Sequence, residues 1–508
     1  MKKVLKLLFS RFTLIVLAIV LQMLLYIVFP FVLSESFPLV PINAIISVIA
    51  LIVVLFIINS DIIIEGQLPL IILCITFPVV GIAFCALFLK IKVPRKVKKF
   101  AESTFVESKK YIARDADYKD NLEKTAGDFG GVVNYITNIT GQKAYFNTDC
   151  KFFDSGEKFF ENLKNDLKSA KKYIFLEYFI IDNGKMWDEI HEILLEKVKA
   201  GVEVRVMYDD LGTISKLKSN FAKKLNREGI ICKKFNEYSS MTSSVYNNRD
   251  HRKITVVDGE IGYMGGANIA DEYINEIHPY GHWKDSAIRL EGDAVTNLVC
   301  MFLQLFDIQS KCTEDYSKYI SNNEKKAKGL VCPFGDGPKY FYGDNTAENV
   351  FLNAIGGAKK YVYITTPYLI IDSKLKSALI NASLRGVDVK IITPHIPDKK
   401  SIFRITRSSY KDLQKKGVKI LEYKEGFIHS KQMLVDDSLA LVGTINLDYR
   451  SMIHHYECGA IMIGTQCIED IKADFENIQK TAIDMKDYKQ RFFTKVFCAL
   501  IKLFTPLF

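Results

Sequence analysis

The 508-residue chain has only eight histidines, and its ten cysteines include no C-x-x-C pair. Without C-x-x-C or zinc-type spacing, neither a zinc site nor a disulfide framework is expected. The cysteines read as reduced, buried thiols, and Cys74 and Cys85 lie inside apolar runs. With no metal-type ligand cluster in view, no metal and no cofactor is expected. Charge is also missing inside three N-terminal runs, Phe12–Leu33, about 40–58 and about 68–89. Each approaches the ~20 apolar residues that a bilayer-spanning helix needs. No small-residue cleavage site follows the first run, which argues against a removed signal peptide.

The flanks of these runs conflict. Lys2, Lys3, Lys6 and Arg11 precede the first run, and Lys90, Lys92, Arg95, Lys96, Lys98 and Lys99 follow the third. The positive-inside rule draws both flanks to the cytoplasm, which three full spans cannot satisfy. The third run holds Pro69, Pro78 and Gly81 and is the candidate for a re-entrant path. A multi-pass protein with its remainder on the cytoplasmic face is expected, from the denser second basic cluster. The net charge of +10 suits an anionic partner, either nucleic acid or an acidic membrane surface.

After residue 99 a repeat appears. "AKKYIFLEYFIID" (170–182) resembles "AKKYVYITTPYLIID" (358–372), and "GVEVRVMYDD" (201–210) resembles "GVDVKIITP" (386–394). Between these apolar, β-branched strands lie helical patterns that stop at Gly201 and Gly386. Strand, helix, strand predicts an α/β fold with parallel or mixed sheets covered by helices. Two similar halves are therefore expected to face each other about a pseudo-twofold axis. The predicted boundaries are 1–99 for the membrane segments, 100–145 for a polar connector, 146–325 and 326–482 for the halves, and 483–508 for a terminal helix.

Each half also carries one copy of a spaced trio. "RDHRKITVVDG" holds His251, Lys253 and Asp258, and "FIHSKQMLVDD" holds His429, Lys431 and Asp436. Side chains at i and i+2 of a strand share a face, so each histidine is expected beside its lysine. Asp258 and Asp436 complete each motif and are counted with its catalytic residues, although they fall past the strand, in a position that supports the site. Next come "GGAN", with Gly266 and Asn268, and "GTIN", with Gly443 and Asn446. The small residues allow close backbone approach, and the amides can donate to an oxygen. Two such sets make a phosphodiester pocket. One imidazole attacks phosphorus, the other protonates the leaving alkoxide, and lysines and asparagines hold the charged oxygens. Glu177 is expected to reach this pocket from the first strand. His454 and His455 are adjacent, point to opposite faces of a strand, and suggest no metal site.

These residues resemble the phospholipase D superfamily over roughly residues 152–481. The resemblance implies two phospholipase-D-like halves and a covalent phosphohistidine, with His251 as nucleophile and His429 as acid and then base. It also implies an acidic residue orienting each histidine, matched here by Asp285 and Glu457. A finer resemblance to bacterial cardiolipin synthases covers the whole chain. It rests on the N-terminal hydrophobic segments, on "LEYFI" (176–180) and "HWKD" (282–285), and on "GVDVKIITP..PDKK" (386–400) and "NLDYRS" (446–451). Thr444 replaces the serine common in that family. The resemblance implies transfer of a phosphatidyl group between two phosphatidylglycerol molecules, giving cardiolipin and glycerol at a bacterial cell membrane. The implied partners are those lipids and an anionic membrane surface, not nucleic acid; an oligomer is allowed.

The motif leaves the acceptor open, so phospholipase D and phosphatidylserine synthase are alternatives. The apolar runs weigh against a nuclease, and the complete set of expected catalytic residues weighs against a scaffold with a degenerate site. At the C-terminus, Phe493, Phe497, Leu500, Ile501 and Phe504 fall on one helical face opposite Arg491, Lys495 and Lys502. Such a helix suits a membrane interface.

Overall fold

The third apolar run does not form one helix. The computed structural model describes residues 11–28, 39–88, 95–112, 117–237 and 248–507. In it the run is split into helices Ile64–Thr76 and Pro78–Phe88. A proline lacks the N–H and disfavours helical backbone in the residue before it. Phe77 accordingly leaves the helix, at φ −132° and ψ 73°. The second helix folds back on the first. A Cβ on Gly81 would lie 2.5 Å from Cys74 Cα, so the approach requires glycine. The sulfurs of Cys74 and Cys85 stand 3.7 Å apart. Gln22, from helix Arg11–Met23, accepts from the Val79 N–H at 2.8 Å and caps the free donors of the second helix.

The third run, the candidate for a re-entrant path, is thus a helical hairpin over its described residues. Residues 29–33 of the first run and Leu89 of the third lie outside the described residues. Among the described residues one helix, Leu39–Ile58, is long and apolar enough to cross a bilayer, with a mean hydropathy of 2.9 over Pro41–Ile58.

The described residues form two compact units. One holds these helices and the segment from Val496, and the other runs from Arg95 to Lys495. The terminal helix is Phe492–Lys502, shorter than the 483–508 expected. Phe493 and Leu500 on its apolar face are 85% and 63% exposed.

In the larger unit the first half contributes eight strands: β1 (Thr148–Phe153), β2 (Tyr173–Tyr178), β3 (Glu203–Asp209), β4 (Ile231–Phe235), β5 (Lys253–Val257), β6 (Ile261–Gly265), β7 (His282–Lys284) and β8 (Ala287–Gly292). The second contributes β9 (Leu330–Asp336), β10 (Tyr361–Thr365), β11 (Leu369–Ile370), β12 (Asp388–Pro394), β13 (Lys419–Tyr423), β14 (Gly426–Ile428), β15 (Gln432–Val435), β16 (Leu439–Gly443), β17 (Leu447–Asp448), β18 (Glu457–Ile463) and β19 (Ile483–Asp484). The main sheets run β1-β8-β6-β5-β2-β3-β4 and β9-β18-β16-β15-β10-β12-β13-β19. Apart from β19, the two orders correspond strand for strand. Both sheets are mixed: β2, β3 and β4 are parallel, as are β10, β12 and β13, and the remaining neighbours are antiparallel. The repeat read from sequence is therefore a repeat of topology.

One core lies between the sheets. Phe175, Ile254 and Met264 of the first sheet and Leu434, Val442 and Cys458 of the second belong to it. Helix Val295–Ser310 runs through this core, buried from Val295 through Asp307. The expected polar connector is also corrected. Helix Gly130–Thr140 is part of the second half's core, with Val133 and Ile136 fully buried.

Candidate active site

Each histidine is held by the half to which it does not belong. His251 and His429 lie just before β5 and β15, not within them. The His251 N–H donates to the Tyr456 carbonyl at 2.9 Å, and the His429 N–H donates to the Lys284 carbonyl at 2.7 Å. β14, leading into His429, pairs in parallel with β7 of the first half, and Asp250 bridges in parallel to Tyr456 of the second. These reciprocal pairings are the pseudo-twofold relation in hydrogen bonds.

The crossing brings the carboxylates. His251 Nδ1 lies 2.9 and 3.0 Å from the two oxygens of Glu457, and His429 Nδ1 lies 2.7 Å from Asp285 Oδ2. A carboxylate only accepts, so both Nδ1 atoms carry the proton and both Nε2 lone pairs are free. Lys253 Nζ donates to the His251 carbonyl at 2.7 Å, and Lys431 Nζ donates to that of His429. Thr444 donates its hydroxyl to Glu457.

The whole set is buried, and burial controls its charges. Burial, Lys253 and Lys431 hold the His251 imidazolium well below its usual range. Burial and Lys431 bring His429 down to about 4, against the pull of Asp285. Burial lowers Lys253 to about 8 and Lys431 to about 7. Burial works to raise the Asp285 pKa, but His429 and Lys431 outweigh it and the net shift is downward.

Other expected site residues stand elsewhere. Asp258 and Asp436, grouped by motif with the catalytic residues, sit at the far ends of β5 and β15. Asp258 accepts from the N–H groups of Lys171, Lys172 and Tyr173 at 2.7–2.9 Å, and Asp436 accepts likewise from Lys359, Lys360 and Tyr361. Both have left-handed backbones, at φ 55° and 53°. They pin the start of β2 and of β10 and do not reach the histidines, so a catalytic role is corrected to a structural one.

Glu177 is also corrected. It points away from the pocket and pairs with the Arg252 Nε at 2.8 Å, both side chains being fully buried. Arg252 lies between His251 and Lys253 in sequence and takes the opposite face. Asn268 donates one amide N–H to the Tyr273 hydroxyl at 2.6 Å and accepts from the Ile180 N–H, so its oxygen and one of its two N–H groups are already engaged. Asn446 is buried with its carbonyl oxygen unpaired. The sheet register matches Gly443 with Gly265, not with Gly266. Gly266 instead makes room for Asp285, since a Cβ there would lie 2.0 Å from Asp285 Oδ1.

Sequence reasoning missed the rings around the histidines. Phe179 meets His251 edge-on at 5.0 Å, and His455 lies 5.6 Å from it. Trp283 and Tyr273 stand 5.2 and 5.4 Å from His429. Aligning "HWKD" with "HHYE" through the repeat would have placed Trp283 and His455 in equivalent positions. Among the described residues, His251, His455 and Glu457 are the group whose metal-ligand-type atoms converge, within 4.8 Å of one another.

Comparison with known proteins agrees with this geometry. Residues 163–282 and 351–479 match a family described as cardiolipin synthase, PLD-like domain. The chain is 32% identical to a cardiolipin synthase of Halalkalibacterium halodurans, over 85% of this chain and 86% of that one. It is 40% identical to an uncharacterized protein of Streptococcus mutans, over 89% and 99% of the two chains. The crystal structure of a phosphatidylserine synthase from Haemophilus influenzae shares the fold, with a TM-score of 0.57 at 15% identity, covering 74% of this chain and 98% of that one.

Proposed function

Since the chain belongs to the cardiolipin synthase family of phospholipase-D-like enzymes, we propose that it transfers a phosphatidyl group from one phosphatidylglycerol to another through a phosphohistidine on His251. The observation that carries this reading is the crossed pair of histidine–carboxylate contacts, which holds two buried imidazoles within electrostatic reach of each other and of Lys253 and Lys431. His251 Nε2 attacks phosphorus while Glu457 accepts from Nδ1–H and stabilises the imidazolium that forms. His429 acts from its protonated form: the imidazolium gives its Nε2 proton to the departing glycerol oxygen as the phosphorus–oxygen bond breaks, and is left neutral with Nδ1–H still on Asp285. It then takes a proton from the hydroxyl of the second lipid, which attacks phosphorus and frees His251. Asp285 supports His429 in this role, because it alone opposes the burial that strips the proton from that ring. Lys253 and Lys431 offset the charge on the non-bridging oxygens.

Phosphatidylglycerol labelled in its terminal glycerol tests the reaction. Free labelled glycerol and a doubled lipid are expected in equal amounts. Phosphatidic acid as the sole lipid product would make the protein a hydrolase and sink the reading.

The lysines predict a pH dependence. An ammonium held at about 7 or about 8 loses its charge as pH rises through those values, so kcat/KM should fall over this range. Arginine does not titrate there, so Lys431→Arg should lower the plateau and remove the inflection near 7. An unchanged alkaline limb in that variant would rule out Lys431 as its origin.

Membrane attachment follows from the same reading. The exposed apolar side chains Leu51, Phe56 and Ile75 suit lipid contact. A hairpin at Phe77 returns the chain to the side it came from, so two spans plus a re-entrant hairpin leave both basic flanks in the cytoplasm with the catalytic halves. Single-cysteine labelling should then find residues after Lys99 reactive from inside alone. Labelling of those residues from outside would overturn this topology.

A further inference from the structure

The ring beside the proposed nucleophile carries two nitrogens that no hydrogen bond satisfies among the described residues. The His455 side chain is 8% exposed, and neither Nδ1 nor Nε2 has a hydrogen-bond partner. Its closest carboxylate oxygen, on Glu457, is 3.7 Å from Nδ1, beyond bonding reach. The other half repeats the feature. Trp283 stands two residues before Asp285 as His455 stands two before Glu457. It packs against His429 as His455 packs against His251, and its Nε1 is likewise buried without a partner.

Buried polar groups are almost always bonded, so orphans at two equivalent positions flanking the two histidines point to a partner that arrives with the substrate. The chemistry of that partner is constrained. An indole N–H can only donate, so the partner accepts. The pocket also holds Lys253 and Lys431, so it favours an anion.

We propose that His455 is a further catalytic residue, donating a ring N–H to a non-bridging phosphoryl oxygen of the group carried on His251. This rests on the phosphohistidine reading above. There is room for such a donor, because Asn268, the motif residue expected to donate there, already commits one of its two amide N–H groups to Tyr273. Burial holds the His455 ring neutral, with its pKa at about 3, so it acts as a fixed dipole and adds no titration to the working range. The convergence of His251, His455 and Glu457 also fits a divalent cation. Such an ion would sit beside two ammonium groups and would break the bond that orients His251, so the phosphoryl oxygen is the better occupant.

The test uses the intact enzyme in phosphatidylglycerol micelles and follows labelled adduct in the first turnover. His455→Leu should slow adduct formation about 100-fold, the usual cost of one donor to developing charge. His455→Asn, which keeps an N–H, should stay within about tenfold of wild type. Phosphorothioate lipids separate contact from support. A donor aimed at one oxygen sets the preference between Rp and Sp isomers, so His455→Leu should change that ratio. Adduct formation at the wild-type rate in His455→Leu would overturn the proposal. So would an equal loss in both variants with the isomer ratio unmoved, or a Co²⁺ absorption band that requires His455. Wild-type enzyme that forms no adduct would instead overturn the phosphohistidine reading itself.

Discussion

His251→Ala should abolish the covalent adduct and reduce cardiolipin formation by about 10⁴-fold or more, the scale set by removing a nucleophile from a site whose members act as a unit. His429→Ala should behave differently. Its nucleophile is intact, so adduct should still form, slowed by about 10²–10⁴ through loss of the general acid, and should then persist because no base activates the second lipid. Rapid quenching with phosphate-labelled phosphatidylglycerol, followed by recovery of the base-stable, acid-labile phosphohistidine, measures both. Adduct accumulating on His251→Ala would reverse the assignment and make His429 the nucleophile. The reversal is a real alternative because the halves are related by a pseudo-twofold and both rings make the same kind of carboxylate contact.

The second large effect is on stability. Glu177→Ala should destabilise the larger unit by about 3–5 kcal/mol, because it leaves the fully buried Arg252 guanidinium without its main counter-charge. Asp250, 3.5 Å from Arg252 Nε, and the Met301 carbonyl, 2.9 Å from its Nη2, offset part of the loss and favour the lower end of that range. The paired change Glu177→Met with Arg252→Met should recover most of it, since apolar side chains of similar volume avoid the desolvation that both charges suffer. Denaturant unfolding of the full chain in detergent measures the difference. A loss under about 1 kcal/mol in Glu177→Ala would mean that the pair carries little net stabilisation. Arg252 lies between His251 and Lys253, so its anchoring also holds the backbone from which both pocket residues project.

Much of this molecule was legible in local pattern. The strand-length runs at 173–178 and 361–365, and the glycines that end the following helices, mark the duplicated α/β unit. Gly201 and Gly386 do adopt left-handed backbones, φ 85° and 93°. The spacing of His251 with Lys253 and of His429 with Lys431 identified the pocket. Reading the motif as a block, however, drew Asp258 and Asp436 into it. Their carboxylates face the backbone of neighbouring strands, and a spacing of five along β5 carries the chain to the other end of the sheet. Glu177 misled for a related reason: β2 is buried on both faces, so burial did not reveal which face it used.

By itself, the sequence determined the duplication, the α/β class, the apolar N-terminal runs and the pairing of imidazole with ammonium in each half. These follow from periodicity and from spacings of a few residues, which local backbone geometry enforces. Tertiary structure alone decided that Glu457 serves His251 and Asp285 serves His429, and that His455 lies against the nucleophile. Each of those depends on register between segments far apart in the chain. The backbone of each histidine bonds to a strand of the opposite half, and no local pattern encodes which side chain that register will bring.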